Sequence, residues 1–266
     1  MNRIRSGDAD LAYEAMGQGT PVVLLHPFPA HHELWLPAAQ ALSSRYRLIL
    51  PDLRGHGDSS AGDGPATMEK HASDVLRICD EENIGRAAFA GVSIGGYTMF
   101  EFWRRFRERV AVLALCNTRP QAETPDSRAA RLQTAADVLE RGTAPFIDSM
   151  VPKLFGRTTI SNRPDLVDAT KRMMQKISPN AVNLVQKGMA DRPDSVATLK
   201  TINVPTLIVA GDEDVATPLA DAELMRQHIP GAEFQVITRA GHYAIFEQPQ
   251  TAGTILRKFL DTFYKA

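Results

Sequence analysis

The chain has 266 residues, 44% hydrophobic and 23% charged, which suits one globular unit carrying at most a small insertion. A net charge of −1 and an isoelectric point near 6.7 leave no electrostatic footprint for nucleic acid or an anionic membrane. Two cysteines, Cys79 and Cys116, are too few and too far apart for a disulfide framework or a metal site, and both sit among apolar residues.

Along the chain, Leu11–Glu14 reads as an early strand closed by the turn Gly17-Gln18-Gly19, and Pro21–Leu25 as a strand buried on both faces. His32 to Ser44 has helical spacing through Leu34, Trp35, Ala38, Ala41 and Leu42, and Arg47–Leu50 reads as a short buried strand. Thr67 should cap a helix running to about Asn83. The apolar run Ala87–Ala90 leads into Gly91-Val92-Ser93-Ile94-Gly95 and a helix-like stretch, and the strand Val110–Leu115 follows. Strands alternating with helices predict a parallel sheet covered on both faces. From about Arg119 to Leu199 the alternation stops, and only helical segments are expected: 126–141, 144–154, 164–177 and 180–190. It resumes with the strand Pro205–Ala210, a helix from Leu219 to His228, the strand Glu233–Ile237 and a last helix, Pro249–Phe263. The expected division is a core of residues 1–118 and 200–266 with a helical cap, 119–199, inserted in it.

Gly91 to Gly95 carries the most chemistry. A Gly-x-Ser-x-Gly between strand and helix is a nucleophile elbow: a tight turn that holds the serine in strained backbone and presents its hydroxyl at the tip. A serine nucleophile needs a general base within hydrogen-bond reach and a group that orients the base. The base candidate is His242, on the loop after the strand ending near Thr238; the acid lies in Gly211-Asp212-Glu213-Asp214, on the loop after the strand ending at Ala210. Both loops leave the carboxyl ends of strands, where open α/β sheets place their sites. Asp212 and Asp214 both qualify, and the longer reach favours Asp214. An oxyanion hole needs two N–H donors. Ile94, just after the serine, is one; in His26-Pro27-Phe28-Pro29 the prolines have no N–H, which leaves Phe28 as the other.

With these motifs and Asp52-Leu53-Arg54-Gly55-His56-Gly57-Asp58-Ser59, the chain resembles the α/β-hydrolase superfamily over nearly its whole length. Within it the chain looks most like capped bacterial carboxylesterases and 3-oxoadipate enol-lactonases. The resemblance implies an eight-stranded, mostly parallel sheet flanked by helices with an inserted helical lid. It also implies a Ser93–Asp214–His242 triad, supporting Asp214 over Asp212, with an oxyanion hole from Phe28 and Ile94. The family often has glycine where Pro27 stands. Asp52–Ser59 is then a structural turn, and the basic run Trp103–Arg107 complements the end of the elbow helix.

The activity expected is hydrolysis of carboxylic esters or lactones through an acyl-enzyme, with no metal or cofactor. Perhydrolysis or C–C bond hydrolysis on the same triad is the alternative among enzymes, and a non-catalytic ligand receptor on the same fold is the alternative outside them. Candidate pocket residues are Phe28, Met150, Leu154, Phe155, Met189 and Phe246. Residues 119–199 hold 12 Lys/Arg against 9 Asp/Glu, an excess that would suit a carboxylate-bearing substrate and that exposed surface charge would equally explain. The protein is expected to be cytoplasmic, since no signal-like or membrane-length apolar stretch of roughly 18 residues is present. It should work as a monomer or homo-oligomer on a small-molecule substrate.

Overall fold

A computed structural model describes residues 1–264. The chain runs β1 (Asn2–Ser6), β2 (Ala9–Met16), β3 (Thr20–Leu25), a 3-10 turn at His32–Trp35, α1 (Leu36–Ala39), β4 (Tyr46–Pro51), α2 (Met68–Glu81), β5 (Ala87–Val92), α3 (Ile94–Phe106) and β6 (Val110–Cys116). Six helices follow before the next strand: α4 (Pro125–Arg141), α5 (Thr143–Leu154), α6 (Arg157–Asn162), α7 (Pro164–Met174), α8 (Pro179–Ala190) and α9 (Val196–Leu199). The chain closes with β7 (Thr206–Gly211), α10 (Leu219–His228), β8 (Glu233–Ile237), α11 (Ala244–Glu247) and α12 (Pro249–Phe263).

The eight strands form one sheet in the order β1-β2-β4-β3-β5-β6-β7-β8. The β1–β2 and β2–β4 pairs are antiparallel and all others parallel. Strands β3, β5 and β7 are apolar runs because helices cover both faces of the sheet, so alternate side chains enter two separate cores. Trp35, Leu48 and Leu256 lie on one side; Leu25, Phe89 and Phe100 lie on the other.

Three expectations change in the structure. Strand β1 carries Asn2, Arg3 and Arg5, and its polar edge position hides it from an apolar-run criterion. The expected helix from His32 to Ser44 is only a 3-10 turn and one α turn, with tight turns beyond. Pro37 lacks the N–H that would continue the helix ladder, although Leu34, Trp35, Ala38 and Leu42 are buried as their spacing demands. Helices α6 and α9, six and four residues long, are too short to give a periodic signal.

Helix α8 meets the loop that leads into α2 at one very close approach. The Ala66 N–H donates to the Leu184 carbonyl (3.0 Å), and a Cβ on Gly188 would collide with the Ala66 carbonyl oxygen. Gly188→Ala should therefore force the two backbones apart and destabilise the protein by about 3 kcal/mol, the upper range for overpacking. Urea unfolding measures this, and an unchanged midpoint would show that α8 rests on other contacts.

Candidate active site

Strand β5 ends at Val92 and α3 begins at Ile94, so the chain reverses through a single residue. Ser93 is that residue, with φ 55° and ψ −113°. Positive φ costs a non-glycine residue roughly 1–3 kcal/mol. The strain is offset locally: the Ser93 N–H donates to the carbonyls of Cys116 and Asn117 (3.1 Å each), and its own carbonyl accepts from Thr118 Oγ1 at 2.8 Å. The glycines of the motif are required by contact. A Cβ on Gly91 would sit 2.5 Å from the Gly95 backbone, and one on Gly95 2.6 Å from the Leu25 carbonyl oxygen.

Asp214 follows β7 and is buried, with five donors on its carboxylate. Oδ2 accepts from His242 Nδ1 (2.9 Å), Thr217 Oγ1 (2.6 Å) and Asn117 Nδ2 (2.9 Å), and Oδ1 accepts from the N–H groups of Ala216 (2.8 Å) and Thr217 (2.9 Å). Burial alone would raise its pKa, but His242 and these donors outweigh burial and hold it down at about 2. Asp212 is exposed, with Oδ1 3.4 Å from the Ala240 N–H. With Nδ1–H donated to Asp214, the neutral His242 ring keeps Nε2 as an acceptor.

Ser93 and His242 line one cavity of about 270 Å³ together with Phe28, Met150, Leu154 and Met189. Phe155 and Phe246 do not line it. Phe155 is buried with its ring 5.6 Å from that of Tyr243, and Phe246 is turned by the short helix α11 into the apolar core. Phe28 and Ile94 stand in the expected loop and at the start of α3. The Phe28 carbonyl accepts from Tyr243 Oη (3.1 Å), and the Phe28 ring meets Phe146 of α5 at 5.7 Å.

The Asp52–Ser59 turn clamps both ends of the Phe28 loop. His26 Nε2 accepts from the Leu53 N–H (2.9 Å), and Asp52 Oδ1 accepts from the His32 N–H (2.9 Å) and from His32 Nδ1 (2.7 Å). Burial drives the His26 pKa well below 6.5, which suits a neutral acceptor. His31, His32 and Asp52 are the one group of potential metal ligands among the described residues. Asp52 already binds the His32 ring and, through Oδ2, the Asp58 N–H, so the carboxylate is committed to the loop. Neither thiol belongs to the site, and burial pushes Cys79 and Cys116 up to about 12.

Several residues at the site carry no sequence motif. Asn117 follows β6 at the carboxyl edge of the sheet, the same positional rule that singled out Asp214 and His242. A charged group from the loop after β6 and from helices α4 and α5 also faces the cavity: Arg119, Glu123, Arg131 and Lys153. The Glu123 side chain is 1% exposed and binds Arg131 Nε (2.6 Å), Arg119 Nη2 (3.2 Å) and Arg192. Burial would raise Glu123, yet the surrounding guanidiniums lower it to about 2. Arg192 is buried over the Tyr97 ring at 4.3 Å and bonded to the Gln121 carbonyl, whereas Arg119 and Arg131 keep 28% and 23% of their side chains exposed.

The chain belongs to the family described as the alpha/beta hydrolase fold, whose model matches residues 20–249. It is 30% identical over 229 residues to 3-oxoadipate enol-lactonase 1 of Acinetobacter baylyi, covering 86% of this chain and 84% of that one. Among solved structures, a thermophilic esterase from Thermogutta terrifontis with malate bound superposes with a TM-score of 0.96 at 34% identity, covering all of both chains. The enol-lactonase from Burkholderia xenovorans LB400 superposes with a TM-score of 0.91 at 26% identity, covering 98% of this chain and all of that one.

The depressed Asp214 carboxyl links the site to acid stability. A lowered folded-state pKa contributes stability above the unfolded value, near 3.8, that is lost as pH falls through about 2. Wild type and Asp214→Asn should therefore converge in unfolding free energy by about 1 kcal/mol between pH 5 and pH 3. A pH-independent difference in urea titrations would mean that Asp214 is not held ionised.

Proposed function

From membership in the α/β-hydrolase family, we propose that this protein hydrolyses carboxylic esters or lactones through a Ser93–His242–Asp214 triad. One observation carries the reading: a serine in strained backbone at an elbow shares a cavity with a histidine whose other ring nitrogen is fixed by a buried carboxylate. His242 Nε2 takes the Ser93 proton as Oγ attacks the carbonyl, and the N–H groups of Phe28 and Ile94 hold the oxyanion, each donor contributing roughly 3 kcal/mol. Collapse of the tetrahedral adduct breaks the ester C–O bond, with the His242 proton passing to the leaving alcohol. Water then attacks the acyl-enzyme, gives its proton to His242, and the acid departs as the proton returns to Ser93. Asp214 holds the tautomer and stabilises the imidazolium.

Within this reading the substrate carries its own negative charge. Arg119, Arg131 and Lys153 meet the cavity against a single carboxylate, Glu123, so the wall holds an excess of cations with donors left to pair. The relatives agree in kind, one named for 3-oxoadipate enol-lactone and another solved with malate bound.

Ser93→Ala should lower turnover of p-nitrophenyl acetate by about 10⁴-fold with the fold intact, and a fluorophosphonate should label wild type at Ser93. Labelling at another serine would sink the assignment. Independently, the monomethyl ester of a dicarboxylic acid should be cleaved faster than the methyl ester of the matching monocarboxylic acid. Arg119→Ala should reduce that ratio by about ten-fold, the effect of 1.4 kcal/mol. Because both esters are compared on one variant, loss of folded protein cancels, and an unchanged ratio would remove Arg119 from recognition.

A further inference from the structure

Helix α11 lies two residues after His242 and ends in Glu247, a buried residue to which the triad gives no role. Its carboxylate bridges two backbone segments. Oε1 accepts from the Gly241 N–H at 2.8 Å, and Oε2 accepts from the Gly156 N–H at 2.9 Å. Gly241 directly precedes His242, and Gly156 caps α6 in the inserted helical block. On the other side of His242, the Tyr243 N–H donates to the Leu154 carbonyl at 2.9 Å. The residues on either side of the histidine are therefore tied through their N–H groups, Tyr243 directly and Gly241 through Glu247, to residues 154–156. The segments also touch, since a Cβ on Gly241 would collide with the Gly156 nitrogen.

We propose that Glu247 is a positioning residue that couples docking of the inserted helices to the placement of His242. The inference rests on His242 acting as the base of the proposed hydrolysis. A carboxylate suits this bridge because it has two oxygens for two N–H donors and, unlike an amide, presents no donor of its own. Burial raises the Glu247 carboxyl and the Glu213 carboxylate adds to the effect, while Thr159 and the Gly156 and Gly241 N–H groups favour the ionised form. The other charged groups beside it belong to a second, separate tie: Glu213 binds the Thr158 N–H (2.8 Å) and hydroxyl, with Arg157 Nε at 3.5 Å. That tie joins α6 to the acid loop; the Glu213 N–H donates to the Ala240 carbonyl (2.9 Å), but its side chain bonds neither the Gly241 nor the Tyr243 N–H. A shift of the Gly241 peptide would move the imidazole relative to both Ser93 and Asp214, and such misplacement slows proton transfer without removing any group that binds substrate.

Glu247→Gln separates this role from a purely structural one, because its amide NH₂ would face one of the two N–H donors and open the bridge. With p-nitrophenyl acetate, and with active sites counted by fluorophosphonate titration, Glu247→Gln should lower kcat about ten-fold or more while KM changes by less than about three-fold. Thr158→Ala, which loosens the neighbouring tie, should keep kcat within about two-fold of wild type. A raised KM with unchanged kcat per titrated site would show that Glu247 only docks the helices, and kcat within two-fold of wild type would overturn the proposal. Ser93→Ala, inactive if the hydrolysis reading holds, tells failure of that reading apart from failure of this one.

Discussion

The site depends on how closely α3 approaches the sheet. With glycine at 91 and 95 there is no side chain between the helix start and strands β3 and β5, and the chain must reverse within one residue. That forces Ser93 to positive φ and brings the loops after β3 and β6 to the same point, where they share the contact. Leu25, at the end of β3, lies against Gly95, and Asn117 and Thr118, after β6, hold the Ser93 backbone. A longer turn would relieve the strain and lose the convergence.

Around that point buried carboxylates hold the loops. Asp52 fixes the Phe28 loop through His32, Asp214 collects five donors, Glu123 gathers three guanidiniums, and Glu247 joins two backbone segments. A carboxylate removed from water is tolerated only when charge-assisted hydrogen bonds replace its hydration. The geometry required to satisfy the charge also makes each carboxylate a rigid junction. The parallel sheet delivers loops to its carboxyl edge, and these junctions set where the loops stop.

What was legible in the sequence was local. The alternation of buried strands with helices, the elbow and its glycines, and the Asp214 and His242 loops can each be read within a few residues, and they placed the fold and drew the main candidates together. Cross-chain pairings could not be read that way. Asn117 meets Asp214 across 97 residues, and Gly156 meets Glu247 across 91; neither has a periodicity or a motif. Phe155 and Phe246 failed as cavity residues for a related reason: apolar character predicts burial, and only the packing of Tyr243 and α11 decides which cavity or core receives the ring. Strand β1 and the interrupted helix before β4 escaped because edge polarity and Pro37 override the hydrophobic pattern.

The charge of the segment inserted between β6 and β7 shows why a count is a weaker argument than a position. The excess of Lys and Arg over residues 119–199 is divided between two environments. Arg128 with Asp191, Arg163 with Asp165 and Lys171 with Asp148 are exposed pairs in which screening leaves little energy. Arg119 and Arg131 instead converge on a carboxylate shielded from solvent beside the cavity, where the effective dielectric is lower and an unpaired donor has more to gain from an anion. The surface explanation and the substrate explanation therefore apply to different residues of the same segment, and Glu123 separates them. By using part of each guanidinium, it keeps both arginines in place at the cavity while leaving their charge in excess.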